Sequence, residues 1–413
     1  MDYNTFEEAV KQGQWPLEIE RQSVYEAFKQ VLDGRHKRGV RYRVEDILTL
    51  ILLGKLAGMT TLAAIAEWVR HRGDHLKQLL PWPRATFPCA STYSNVLRVL
   101  DSQQLNQVLA DVLTRAEASQ RCEEEPSRLV ADPSGKRHEH LALDGKTLRG
   151  TLGHLAPDER KMHQLALYEV RTGVLLKEQV TGEKENELSI VSEFLTPQWV
   201  KGRILTADAL HTHHAFCFTV TRWEGDFVLI AKKNQPTLHE DLRLFFTEPP
   251  ADCQDWRTTQ SLDKGHGRLE KRELVASTEL NEFLGRQWAG VAQVFQLTRT
   301  VQEKGETRRE VVSGITSLTP AQASAERLLE LVRAHWAIEN RLHWRRDVTL
   351  REDHCQVRKG TAPRALAVLN SFLLALLDYA GMTNVPKHMR LFDAKPWLAV
   401  RLLFGSLLTF TSP

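Results

Sequence analysis

The chain has no apolar run long enough to cross a bilayer. Its longest, 46–53 and 372–377, fall far short of the roughly 20 residues a spanning helix needs. The first residues, Met-Asp-Tyr-Asn-Thr-Phe-Glu-Glu, lack the basic and apolar regions of a signal peptide. Cysteine is scarce: Cys89, Cys122, Cys217, Cys253 and Cys355 are scattered, with no CxxC pair. That excludes a disulfide framework and points to reduced thiols in a cytoplasmic protein. There is no internal repeat and no low-complexity segment. Charge of one sign is also missing, since the formal net charge is only +3. Composition therefore does not announce a nucleic-acid binder, and any DNA affinity must come from local clusters such as 35–43, 341–351 and 358–359. What remains is 413 residues with 42% apolar and 26% charged content, an ordinary globular composition with length for two or three domains.

The periodicity divides the chain. Residues 1–125 read as a helical N-terminal domain, with apolar residues at 3- and 4-residue spacing over 44–57 and 60–72 and a break at Gly58. Polar residues with Pro126 and Pro133 predict a linker over 126–139. From 140 the pattern alternates. Leu141 and Leu143 face one way, Ala142 and Asp144 the other. A hairpin is expected from 164–170 and 174–180, a helix over 186–195, then strand 203–207, helix 213–222 and strand 226–232. Hairpin first and a parallel strand–helix–strand unit second is the layout of a ribonuclease-H-like mixed sheet, so the fold class is α/β (α+β). Residues 140–235 would be the first part of that core and 236–320 a β-rich insertion. Residues 321–380 would complete the core, with one helix running from 320 to 342, and 381–413 would form a helical tail.

Three acids stand out. Asp144 lies in Leu-Ala-Leu-Asp-Gly-Lys-Thr-Leu-Arg-Gly, Asp208 closes Gly-Arg-Ile-Leu-Thr-Ala-Asp, and Glu339 lies in His-Trp-Ala-Ile-Glu-Asn-Arg-Leu-His-Trp. Each has an ordinary explanation: a turn former, a helix N-cap, a solvated helix face. Together, two strand-end aspartates and a helix glutamate supply the carboxylate oxygens that hard divalent cations favour, the equipment of phosphodiester chemistry. On a continuous helix His335, Glu339, His343 and Arg346 share one face. The two histidines would then stand about 12 Å apart, too far for one tetrahedral zinc, which favours a phosphate-facing strip. Lys146, Arg149, Lys232, Lys233, Arg268, Lys271 and Arg272 are further candidates for phosphate contact. Trp256, Trp288 and Trp336 are candidates for base stacking, with core packing as the plainer role.

Four stretches carry a family resemblance: 143–150, 225–235, 266–272 and 335–353. Through them the chain resembles the DDE transposases of bacterial insertion sequences, in the branch that includes the H-repeat-associated proteins of Rhs elements. The resemblance implies Asp144, Asp208 and Glu339 as catalytic triad and metal ligands. It implies two Mg²⁺ ions, with Mn²⁺ able to substitute. Cleavage at the ends of a mobile element and 3′-hydroxyl strand transfer into target DNA would follow. Double-stranded DNA would be the partner, with a homodimer assembled on it and no membrane. In the wider group Tyr, Arg and Lys flank the glutamate, where this chain has Val332, His335 and Arg346. Asp347 and Asp353 are nearby acids of lower rank for the metal role. Two rivals remain: a catalytically silent DNA-binding relative, and a nuclease of the same fold that cuts without joining.

Overall fold

The structure is a computed structural model and describes residues 23–123, 139–147, 163–181 and 191–405, apart from the single positions 37, 39, 81, 83, 172, 192, 266 and 337. Arg149, most of the expected linker and most of the expected helix 186–195 lie outside the described residues.

A nine-stranded sheet forms the centre. In chain order its strands are β1 (Glu139–Thr147), β2 (His163–Glu169), β3 (Leu175–Thr181), β4 (Arg203–Ala207), β5 (Asp226–Ala231), β6 (Arg257–Gly265), β7 (Arg268–Ser277), β8 (Gln293–Glu303) and β9 (Glu306–Thr316). In space the order is β3-β2-β1-β4-β5-β9-β8-β7-β6. Strands β1 to β3 are antiparallel, whereas β4 and β5 run parallel to β1. Those five strands have the order of a ribonuclease-H-like sheet. The β2–β3 turn closes at Gly173, whose φ of +79° suits a residue without Cβ.

The expected β-rich segment after 236 begins with a helix, Pro236–Thr247, and holds the four strands β6 to β9. Its four strands join the core sheet as an antiparallel extension, because β9 pairs with β5. Gly314 permits that junction: a Cβ there would stand 2.2 Å from the Leu229 carbonyl oxygen.

Two faces of the sheet bury different partners. Leu141, Leu143, Leu205 and Leu229 pack under Phe216, Val220 and Leu242 of the helices His214–Arg222 and Pro236–Thr247. Ala142 faces the opposite way and joins a core shared by the N-terminal helices and the C-terminal helices Ala362–Tyr379, Val385–Ala394 and Pro396–Phe404. The helix Ala362–Tyr379 is apolar enough to cross a membrane by length and composition, but 83% of it is buried in this core. The N-terminal helices thus sit against the end of the chain, with Val44–Leu56 buried along almost its whole length.

The expected helix 320–342 is interrupted. It runs from Ala325 to His335, with Ser324 as N-cap accepting from the Arg327 amide. After the break, Ile338–His343 and Arg345–Thr349 take the wider π winding. A π turn rotates successive side chains differently from an α turn, so the 3.6-residue spacing stops predicting which residues share a face.

Candidate active site

Parallel pairing of β1 and β4 places Leu143 beside Ala207. The next residue of each strand, Asp144 and Asp208, therefore leaves neighbouring strands at the same level and on the same face. Asp208 also caps the short turn Ala209–His211, accepting from the Leu210 amide at 3.1 Å. The capping role and a role in the site are compatible, since half of its side chain remains exposed. Glu339 arrives from the π-wound segment over the same face. All three acids line one cleft of about 730 Å³.

His343 binds the acids together. Its Nδ1 lies 3.2 Å from Asp144 Oδ2 and 3.2 Å from Glu339 Oε2, while the ring itself is buried. Burial alone would raise the Asp144 carboxyl, but the His343 contact prevails and holds it below its ordinary value. The same contact lowers Glu339. Burial disfavours charge on His343, yet the two carboxylates overcome it and raise its pKa. One ligand atom from each of Asp144, Glu339 and His343 lies within 4.8 Å of the others. Carboxylate oxygens with one imidazole fit a divalent cation, and Asp208 lines the same cleft outside this trio.

The expected strip of His335, Glu339, His343 and Arg346 does not form, because the helix changes winding between them. His335 stays on the α-helix and turns to the sheet, its Nδ1 2.9 Å from Thr206 Oγ1. The same hydroxyl lies 2.8 Å from His140 Nε2. Burial lowers His335 and pushes His140 down to about 3, so both rings are neutral at physiological pH. His335 still lines the cleft.

Arg346 points away from the cleft and is fully buried, with its Nη2 2.7 Å from Glu352 Oε1. Its expected phosphate contact is corrected by that pairing. Lys146 is corrected likewise: it follows Asp144 on the same face but lies buried against Asp347, with Glu352 at 3.8 Å. Glu352 also accepts from Asn370 Nδ2 at 2.7 Å, and Asn370 Oδ1 accepts from Lys55 Nζ at 2.7 Å. A buried polar network thus ties β1, the π segment, the helix Ala362–Tyr379 and the N-terminal helix Val44–Leu56 behind the acids. Arg341 and Arg345 both pair with Asp378, so the 341–351 cluster faces largely inward.

Of the remaining basic candidates, Lys232, Arg268 and Arg272 line the cleft, whereas Lys233 does not. Arg299 and Arg333, which the sequence reading passed over, line it too. Trp336 is half exposed at the cleft, Trp288 is buried against His214, and Trp256 packs on Phe245 and Phe246.

A ribonuclease-H-like sheet with two strand-end aspartates and a glutamate around one cleft defines the class. Residues 135–377, more than half of the chain, match the Transposase DDE domain family, and residues 25–112 match its DDE_Tnp_1-associated region. The chain belongs to the DDE transposase family. Among curated relatives it is 25% identical to "Putative transposase YncI" of Escherichia coli O157:H7, over 86% of this chain and 87% of the relative. It is 22% identical to "H repeat-associated putative transposase YhhI" of Escherichia coli K12, over 90% and 95%. A solved piggyBac transposase synaptic complex with hairpin DNA aligns with 93% of this chain and 82% of its own, at 13% identity and a TM-score of 0.41.

Proposed function

We propose that the protein is an active transposase that cuts DNA at the ends of an insertion sequence and transfers the freed 3′-hydroxyl into target DNA. The observation that carries this reading is the convergence of Asp144, Asp208 and Glu339, from two strands and a π-wound segment, on one cleft. The DDE family works with divalent metals, and the donors here suit them. Asp144 and Asp208 would flank one Mg²⁺ or Mn²⁺, and Asp144 with Glu339 the other. Ions held there would polarise the scissile phosphate and sharpen the attacking oxygen. The chain's own part is to hold these carboxylates ionised and spaced, through His343 and the buried network behind them. Lys232, Arg268 and Arg272 would meet phosphates of duplex DNA along the cleft. The segment 35–72, with its basic residues beside the N-terminal helices, would contribute to end recognition, and two copies would assemble on the ends, in the bacterial cytoplasm.

The test is a cleavage and strand-transfer assay on DNA carrying the sequences that flank the coding region, with Mg²⁺ or Mn²⁺. Wild type should yield joined products. Asp144→Asn, Asp208→Asn and Glu339→Gln should each abolish cleavage and leave end binding largely intact. Wild-type turnover in any one of them removes that residue from the triad. Nicks without joining would identify a nuclease, and binding without nicks a silent relative.

A further inference from the structure

The far wall of the cleft carries an arrangement that the acids do not explain. Arg268, Glu270 and Arg272 alternate along β7, so all three project to one face. Arg272 also stands directly opposite Arg299 of β8 in the pairing register. Like charges at directly opposed positions destabilise a sheet unless something offsets them. Glu270 does so. It is the buried member of the group, 2% exposed, and its carboxylate holds three guanidinium groups at once. Oε1 lies 2.6 Å from Arg272 Nη2 and also accepts from Arg299 Nε, while Oε2 lies 3.0 Å from Arg268 Nη2. Around them, Glu310 is 3.4 Å from Arg299, and Asp263 lies 2.5 Å from Arg272 and 3.1 Å from Arg333. Four guanidinium groups thus share three carboxylates, and Lys232 lines the same cleft.

A carboxylate buried only to staple two strands would be a poor stabiliser, because desolvation offsets its attraction. What it does achieve is to fix long side chains that otherwise lose conformational freedom on binding. Arg268 and Arg299 remain 47% and 37% exposed while anchored this way. Guanidinium groups fixed side by side, with spare donors facing a cleft, match the oxygens of successive phosphates. Resting on the reading that this chain acts on DNA, we propose that Glu270 is a positioning residue that gathers Arg268, Arg272 and Arg299 into a backbone clamp for one DNA strand leaving the acidic end of the cleft.

The sign of one substitution tests this. Glu270→Gln makes the cleft more positive, so simple electrostatic attraction predicts tighter DNA binding. Positioning predicts the reverse, a loss of about five- to tenfold, read by anisotropy with a labelled random duplex of about 30 base pairs over a range of salt. Arg268→Met and Arg299→Met, at exposed positions that do not threaten the fold, should each lower the slope of log affinity against log salt by about one. They keep the clamp open to refutation even if Glu270→Gln does not fold. Unchanged or tighter binding by a folded Glu270→Gln variant overturns the clamp, as does a lower melting temperature with unchanged affinity. An unchanged slope in both arginine variants overturns it too. A wild-type protein that fails to bind the duplex at all overturns the transposase reading along with it.

Discussion

At one end of the cleft a buried histidine, His343, lies between two carboxylates that reach the solvent. At the other a buried carboxylate, Glu270, lies among three guanidinium groups, of which Arg268 and Arg299 reach it most. Each end sequesters the minority charge and displays the majority charge. A buried partner is less screened than one in water, so a single group can hold several opposite charges in fixed positions. The excess faces the cleft: negative where cations would bind, positive where phosphates would. The two ends differ in how the chain assembles them. The acid end draws on β1, the end of β4 and a π-wound segment far along the sequence. The arginine end comes mainly from neighbouring strands of one meander.

The largest effects should separate the two ends by function. Asp144→Asn or Glu339→Gln should lower cleavage at saturating DNA by about a thousandfold, the consequence of losing roughly 4 kcal/mol of transition-state stabilisation. Arg268→Met should leave cleavage at saturating DNA within a few fold of wild type and change only the DNA concentration required. Equal losses of turnover at both ends would break the division of labour.

This contrast also explains what the sequence disclosed. Alternation was enough to place Asp144 and Asp208 at strand ends and to expect a hairpin followed by a parallel strand–helix–strand unit, because each is decided by neighbours in sequence. Arg268 and Arg272 were visible as charges for the same reason. Glu270, between them, reads as one more surface acid until the sheet buries it. The π winding was not legible at all. Periodicity is read by assuming 3.6 residues per turn, so after the change of winding beyond His335 it no longer tells which side chains share a face. His343 was read as facing phosphate when it bridges Asp144 and Glu339, and Arg346 was given to phosphate when it pairs with Glu352. An acid in the segment before an apolar helix, such as Glu352, and one near the end of it, Asp378, were the available signs that nearby arginines turn inward.

The next effect compares the supports of the two ends. Glu352→Gln should cost about 3 kcal/mol in chemical denaturation, because it removes the carboxylate bonded to Arg346, which is fully buried. Glu270→Gln should cost less, since Arg268 and Arg299 can turn to water. If Glu270→Gln proves the more destabilising of the two, the arginine end is primarily a structural staple.

The smallest effect sharpens the acid end alone. Glu178 lies two strands along from Asp144, through the pairings Asp144–Ala166 and Ala166–Glu178. Burial pushes its carboxyl up from 4.5 to about 7, against the attraction of Arg346, and its Oε2 has no hydrogen-bond partner among the described residues. An acid raised in this way keeps its proton in the folded state while the unfolded chain releases it. Between 4.5 and about 7 the folded form therefore binds more protons, and its stability falls as pH rises through that window. Glu178→Gln, neutral at every pH, removes this dependence. Its melting temperature should match wild type at the acidic edge of the window. By about pH 8 it should exceed wild type by a few degrees, at about 1 °C per kcal/mol for 413 residues with about 2.1 cal/mol/K of unfolding entropy each. A difference of the opposite sign would mean that Glu178 is ionised against Arg346 and belongs to the network around Glu352 as a working anion.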